Sequence, residues 1–166
     1  NCEIIVNIFD LDINQRKMLN ALYDQMSSEI NDTELLIDWR ETNSKLECIL
    51  NRAIDSVGYD VTYGELDLKS FFKALDLKFR SNEEGYAEFL LEYLQLMSEV
   101  LGINIFILVN LSSFLEIKEI AYLYEQTFYR KYHLLLLDAQ DVCVKKEVER
   151  KIIIDKDYCV IDSSMG

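Results

Sequence analysis

Residues 103–114, reading Ile-Asn-Ile-Phe-Ile-Leu-Val-Asn-Leu-Ser-Ser-Phe, set the tightest limit on what this chain can fold into. The run is short, apolar and rich in β-branched residues, and amphipathic helical patterns lie on both sides of it. A strand apolar on both faces and bracketed by helices reads as a central parallel strand covered on both faces. The fold class that follows is α/β with a mainly parallel sheet. Ligands in open α/β sheets gather where such strands end. The turn Asn110-Leu111-Ser112-Ser113 is therefore the first place to look for chemistry.

The rest of the chain agrees with that class. Residues 2–9 read as a strand, and Asn14 is placed to cap the helix that follows. In that helix Leu19, Leu22, Tyr23, Met26 and Ile30 recur at spacings of three and four. Residues 34–57 carry a second, longer helical pattern, with Leu35, Leu36, Trp39, Leu46, Ile49, Leu50, Ala53 and Val57 as its apolar positions. Two long helices joined by the short polar turn 31–33 suggest an antiparallel hairpin, lying on the sheet or standing off it as an arm. Residues 55–67 read as a turn and short strand, 67–75 as a short helix and 76–79 as another short strand. An amphipathic helix spans 83–101, with Gly102 as its C-cap. Helix 116–130, strand 132–137, a polar helical link 141–150 and strand 152–154 complete a strand–helix–strand succession.

Charge and cysteine usage narrow the function classes. The formal net charge is −13, with 17 basic and 30 acidic residues, which disfavours a general nucleic-acid binder unless basic residues are segregated or cations are bound. Cys2, Cys48, Cys143 and Cys159 are widely spaced and make no C-x-x-C, so buried free thiols in a reducing compartment are expected. No apolar run reaches the roughly 20 residues needed to span a bilayer. The start at Asn1, inside a strand pattern, leads to the expectation of a preceding segment.

Catalytic patterns are missing from the sequence. The turn at 110–114 has neither the glycines nor the lysine of a phosphate cradle, and no G-x-G-x-x-G or G-x-S-x-G occurs. Ser112 and Ser113 read as turn and helix-cap residues. The lone His133 opens what reads as a buried strand and has a structural role. Asp55, Asp60, Glu65 and Asp67 form an acidic stretch with the oxygens a hard cation wants, but without EF-hand spacing. Basic residues fall in groups: Arg40, Lys45 and Arg52 along the long helix, Lys69, Lys73, Lys78 and Arg80 after the acidic stretch, and Lys145, Lys146, Arg150, Lys151 and Lys156 near the end. Mixed-charge solvated faces are their ordinary explanation.

The runs ILVNLSSFLEIKEIAYLYEQ, HLLLLDAQDV and KIIIDKDYCVI carry a resemblance to a known family. They are preceded by EIIVNIFDLDIN and YDVTYGELDLKSFFKAL in matching order and spacing. Together these resemble the Csn-type CRISPR-associated proteins of type II-A systems, over essentially all 166 residues. The resemblance implies an α/β head related to P-loop ATPases but without a nucleotide site, plus a helical leg. The head would take residues 1–31 and 67–166, the leg and acidic turn 32–66. It further implies a cytoplasmic, non-enzymatic homotetrameric ring that binds double-stranded DNA ends in a lysine-lined channel without sequence preference. The ring would be linked to bound calcium and act in spacer acquisition beside the integrase proteins and the effector nuclease. It also implies a preceding segment made mainly of strands.

On this resemblance Asp55, Asp60 and Glu65 are the candidate calcium ligands. Thr62 and Gly64 stand where related chains tend to carry carboxylates, so calcium sites fewer, weaker or shifted are expected. Arg40, Lys45, Arg52, Lys145 and Lys146 are the candidates for DNA phosphate contacts. Two other classes compete with this reading. One is a nucleotide-binding α/β enzyme with its phosphate loop in a preceding segment. The other is an acidic protein-interaction module.

Overall fold

The computed structural model describes residues 1–81, 85–140 and 150–162. Contacts divide the chain into two compact units, Asn1–Leu11 with Ser81–Gly166, and Asp12–Arg80. The second takes in all of segment 32–66 together with the helices on either side of it.

The first unit is built on three parallel strands, β1 (Cys2–Ile5), β2 (Ile105–Val109) and β3 (His133–Leu137), in the order β1-β2-β3. Cys2 pairs with Ile105, and Ile105 with His133, so the three strands run in step. The expectation of a central parallel strand at β2 holds, and so does the α/β class. The expectation that both faces are covered does not. Phe106 and Leu108 of β2 are buried, but on the other face Ile105, Leu135 and Leu137 stay 45–51% exposed among the described residues. The period-2 exposure of β3 is that of a strand with one open face, and His133 is exposed at its start.

Two helices, here numbered by their place in the chain, pack in this unit: α4 (Tyr86–Leu101) and α5 (Ile117–Tyr129). Buried Ala87, Leu90, Leu94 and Met97 on α4 follow the helical period, as do Ile120 and Leu123 on α5. Leu90, Leu94 and Met97 are 0% exposed, and side chains of this kind contribute about 1.5–3 kcal/mol each on burial. Gly102 ends α4 as expected, at φ 67, with its N–H reaching the Met97 and Ser98 carbonyls. The strand expected at 2–9 stops early, because Asn7 accepts from the Phe9 N–H and turns the chain into a short 3-10 helix, Ile8–Asp10. Phe9 then meets Tyr86 and Phe114 edge-on, at 4.9 and 5.4 Å.

Residues 152–154 do form a strand, β4 (Ile152–Ile154), but not in the parallel sheet. It pairs antiparallel with β5 (Val160–Asp162), closed by an Asp155 turn whose carboxylate accepts from the Asp157 and Cys159 N–H groups. A short apolar strand next to a tight turn finds its hairpin partner before a distant one. The link expected at 141–150 lies almost wholly outside the described residues, as do Cys143, Lys145 and Lys146.

The second unit holds α1 (Arg16–Asn31), α2 (Leu35–Val57) and α3 (Leu68–Ala74). Its core is Tyr23, Leu68 and Phe72, with Leu19, Leu22, Met26, Ile30, Trp39, Phe71 and Leu77 packed around them. Asn14 does not cap α1, as the sequence suggested; Gln15 stands at that position. The Asn14 amide instead grips the Phe79 backbone, its Oδ1 accepting from Phe79 N at 2.8 Å and its Nδ2 donating to Phe79 O at 3.2 Å. Tyr23 Oη donates to the Leu77 carbonyl at 2.9 Å. Segment 76–79 starts with Asp76 in a left-handed turn (φ 52) and, among the described residues, pairs with no strand, which corrects the strand expected there. Segment 58–66 likewise forms no strand.

Candidate nucleic-acid interface

The long helix α2 is the element on which most of the expected site residues sit. Ser27 and Asn31 of α1 face the same groove as Leu36, Trp39 and Asn43 of α2, the pairing of an antiparallel hairpin. At 1.5 Å per residue α1 is about 24 Å long and α2 about 35 Å, so the last two turns of α2 outrun α1. No residue of α2 is buried, and Ile49, Leu50 and Val57 of its expected apolar stripe are 45–62% exposed. The stripe is present in the sequence, but the core formed with α1 and α3 covers it around Trp39, while Leu35 at its start is also 48% exposed.

Arg40, Lys45 and Arg52 are all exposed on α2. Lys45 and Arg52 are seven residues apart, so they share a face, within about 20° of each other and about 10 Å apart along the axis. Arg40 lies about 120–140° round the helix from them. The structure thus unites two of the three and separates the third. The Lys45–Arg52 face is also mixed, since exposed Glu41, Cys48 and Asp55 lie on the adjoining strip.

Arg40 instead lines a groove of about 630 Å³ with Glu47, Glu65, Asp67 and Lys69. Lys69 forms an ion pair with Asp24. The buried Ser27 Oγ and Asn43 Oδ1 at this groove have no hydrogen-bond partner among the described residues. Asp67 is the N-cap of α3: Ser70 Oγ and Ser70 N donate to its carboxylate at 2.6 and 2.9 Å, which holds its pKa below the ordinary value. The sequence placed Asp67 in the acidic stretch without showing that its charge already serves a helix end.

Asp55 sits in the last turn of α2, Asp60 lies in the irregular segment beyond Gly58, and Glu65 comes just before α3. All three are exposed, and Glu65 lines the Arg40 groove. Among the described residues no three His, Cys, Asp or Glu side chains come together as a metal cage. A calcium ion takes about six to eight oxygens, so the three carboxylates as placed do not fit one by themselves. Sequence reading also missed a contact that ties this segment to α2. Tyr63 Oη donates to Asn51 Oδ1 at 3.0 Å, across 12 residues. No local spacing rule signals such a bond.

The turn after β2 is a fastened connection. Asn110 stands in the left-handed region (φ 52, ψ 39), which asparagine tolerates better than most residues. Its N–H donates to the Leu137 carbonyl at 2.8 Å. Ser112 donates twice to Asp138 Oδ1, from Oγ at 2.6 Å and from N at 3.1 Å. The ends of β2 and β3 are tied by these bonds. Ser112 is therefore a turn residue. The helix-cap role falls to Glu116, which forms a capping box with Glu119 at the start of α5. The thiols also depart from expectation, since Cys2, Cys48 and Cys159 are free and exposed rather than buried. No helix among the described residues is long and apolar enough to cross a membrane.

Among solved structures, the chain is similar to the one titled "Crystal structure of Stu0660 of Streptococcus thermophilus", with TM-score 0.56 and 15% identity. The match covers 92% of this chain and 50% of that one, so this chain spans about half the length of its structural relative. At that identity the likeness speaks for the fold. No curated protein matches the sequence. The family model described as "CRISPR-associated protein (Cas_Csn2)" matches residues 1–158, from the first strand through the hairpin turn at Asp155. On that match the chain belongs to the Cas_Csn2 family of CRISPR-associated proteins.

Proposed function

We propose that this chain serves CRISPR adaptation as a non-catalytic protein that binds double-stranded DNA ends without sequence preference. The single observation that carries the reading is the family match over residues 1–158. The working form is a homotetrameric ring, with phosphate contacts from several copies meeting in one channel. Such a ring would hand DNA ends to the integrase proteins and the effector nuclease during spacer acquisition. Lys45 and Arg52, exposed on one face of α2, are the described residues best placed to meet phosphates; Lys145 and Lys146, outside the described residues, stay candidates from the basic cluster in the sequence. Backbone contacts alone are needed, because sequence-independent binding reads no base edges. The fastened turn 110–113, which has no glycine or lysine, supports a role without phosphoryl chemistry. Calcium linkage is part of the proposal by resemblance, with ligands beyond Asp55, Asp60 and Glu65 needed to complete any site.

The test is a gel shift of the assembled protein on linear and closed circular duplexes of equal length, with calcium or with a chelator. Binding of the linear form alone, strengthened by calcium, is the expected result. A tetramer that binds neither duplex sinks the proposal.

A further inference from the structure

Residues 58–66 form a strap with no backbone–backbone hydrogen bond of its own among the described residues. It leaves α2 at Gly58 (φ 70) and rejoins regular structure at the Asp67 cap of α3. Its tie along that course is the Tyr63–Asn51 hydrogen bond. The bond folds the strap back along the helix that carries Lys45 and Arg52. It also accompanies a strap conformation in which Glu65 lines the groove of Arg40, where Glu47 and Asp67 already stand. Arg40 forms no ion pair within this groove among the described residues, although three carboxylates line the groove with it.

We propose that the strap is a latched electrostatic shield: the Tyr63–Asn51 bond holds Glu65 beside Arg40 and so suppresses phosphate binding there until the strap opens. This deepens the DNA-binding reading and rests on it for the ligand, though not for the latch. The physics is short-ranged. Charges within a Debye length of about 10 Å act on one another with little screening, so a carboxylate across a groove competes directly with an incoming phosphate. A segment with no ladder of its own and one side-chain tie has a low local opening free energy. Cutting that tie changes conformation without changing charge, which separates the latch from bulk electrostatics.

The experiment uses the whole chain with Tyr63→Phe, Asn51→Ala and Glu65→Gln variants. Cleavage after Glu65 by a glutamate-specific protease reads strap opening with no DNA present. Losing one hydrogen bond is expected to speed cleavage about two- to tenfold in both Tyr63→Phe and Asn51→Ala. Affinity for a short DNA duplex at low salt is expected to rise about two- to fivefold in Tyr63→Phe and in Glu65→Gln. Unchanged cleavage in both latch variants overturns the latch. Faster cleavage with unchanged affinity overturns the shielding role. Absence of duplex binding by every variant overturns the DNA reading and the shield with it, while the cleavage rates still decide the latch.

Discussion

Replacing Phe72 by alanine tests the core of the second unit, and the chain supplies its own reporter. Phe72 is 4% exposed and touches Tyr23, with ring centroids at 5.8 Å, and Phe71 at 6.3 Å. Phe71 in turn meets Trp39 at 5.2 Å. Trp39 is the one tryptophan of the sequence, so its fluorescence reports on this cluster and not on the sheet. A buried phenylalanine cut to alanine costs about 3–5 kcal/mol, from lost transfer energy and the cavity left behind. A unit the size of Asp12–Arg80, at typical stability per residue, has only about 3–10 kcal/mol to lose. With a urea m-value of about 1 kcal/mol/M, the Trp39 transition should fall by about 3 M or be lost altogether. Leu75→Ala, also on the α3 side but 60% exposed, should move it by no more than about 0.5 kcal/mol. A Phe72→Ala midpoint within about 1 M of the parent would refute the assignment of this cluster as the core of the unit.

Other consequences are open to measurement. Asn110→Gly should leave thermal stability nearly unchanged, whereas Asn110→Val should cost about 1–2 kcal/mol by calorimetry, because the left-handed backbone at φ 52 opposes a β-branched side chain. The Asp67 cap should stabilise α3 at and above the ordinary carboxylate pKa and lose its effect as pH falls through the lowered folded-state pKa. The Ser70 amide resonance should report that titration, and Asp67→Asn should abolish it. In a four-copy ring Lys45→Ala and Arg52→Ala should each remove four contacts and flatten the dependence of log affinity on log salt by about 3.6, against about 1 for a single copy, while Arg40→Ala should leave it nearly unchanged with the strap closed.

The parts of this molecule legible in its sequence are those set by local period. Helices α1, α2, α4 and α5 and the central place of β2 follow from apolar spacing, and the end of α4 follows from Gly102. Pairing over distance was not legible. Nothing in the pattern of residues 152–154 distinguishes a fourth parallel strand from one arm of the β4–β5 hairpin. The spacing of α2 announced a buried stripe, but whether a stripe is buried depends on how far its neighbour reaches, and α1 is too short. Side-chain ties such as Asn14 to Phe79, Ser112 to Asp138 and Tyr63 to Asn51 join residues 65, 26 and 12 positions apart, beyond any capping rule. At the candidate site, the sequence put Arg40, Lys45 and Arg52 on one helix, which is α2 in the structure. The 3.6-residue period then separated Arg40 from the other two cations.

The distribution of charge between the units bears on how so acidic a chain could hold DNA. Within Asp12–Arg80 there are 13 acidic and 9 basic residues, a net of −4, while the remaining residues carry −9 of the total −13. The basic residues are thus concentrated in the helical unit, but its best face presents only Lys45 and Arg52, beside Glu41 and Asp55. Two phosphate contacts release too few counterions to hold a duplex at physiological salt, since each contributes a slope of only about −0.9. Counting the α2 pair alone, one copy would therefore bind weakly, with a slope near −2, whereas four copies each presenting that pair to one duplex would give about −7. The acidic remainder imposes a repulsion that screening limits to about 8 Å at physiological ionic strength, so it disfavours any duplex not held close to the basic faces. On these numbers the proposed DNA binding would require the proposed assembly. A measured slope near −2 in a chain that binds tightly would contradict the ring, even with every contact residue identified correctly.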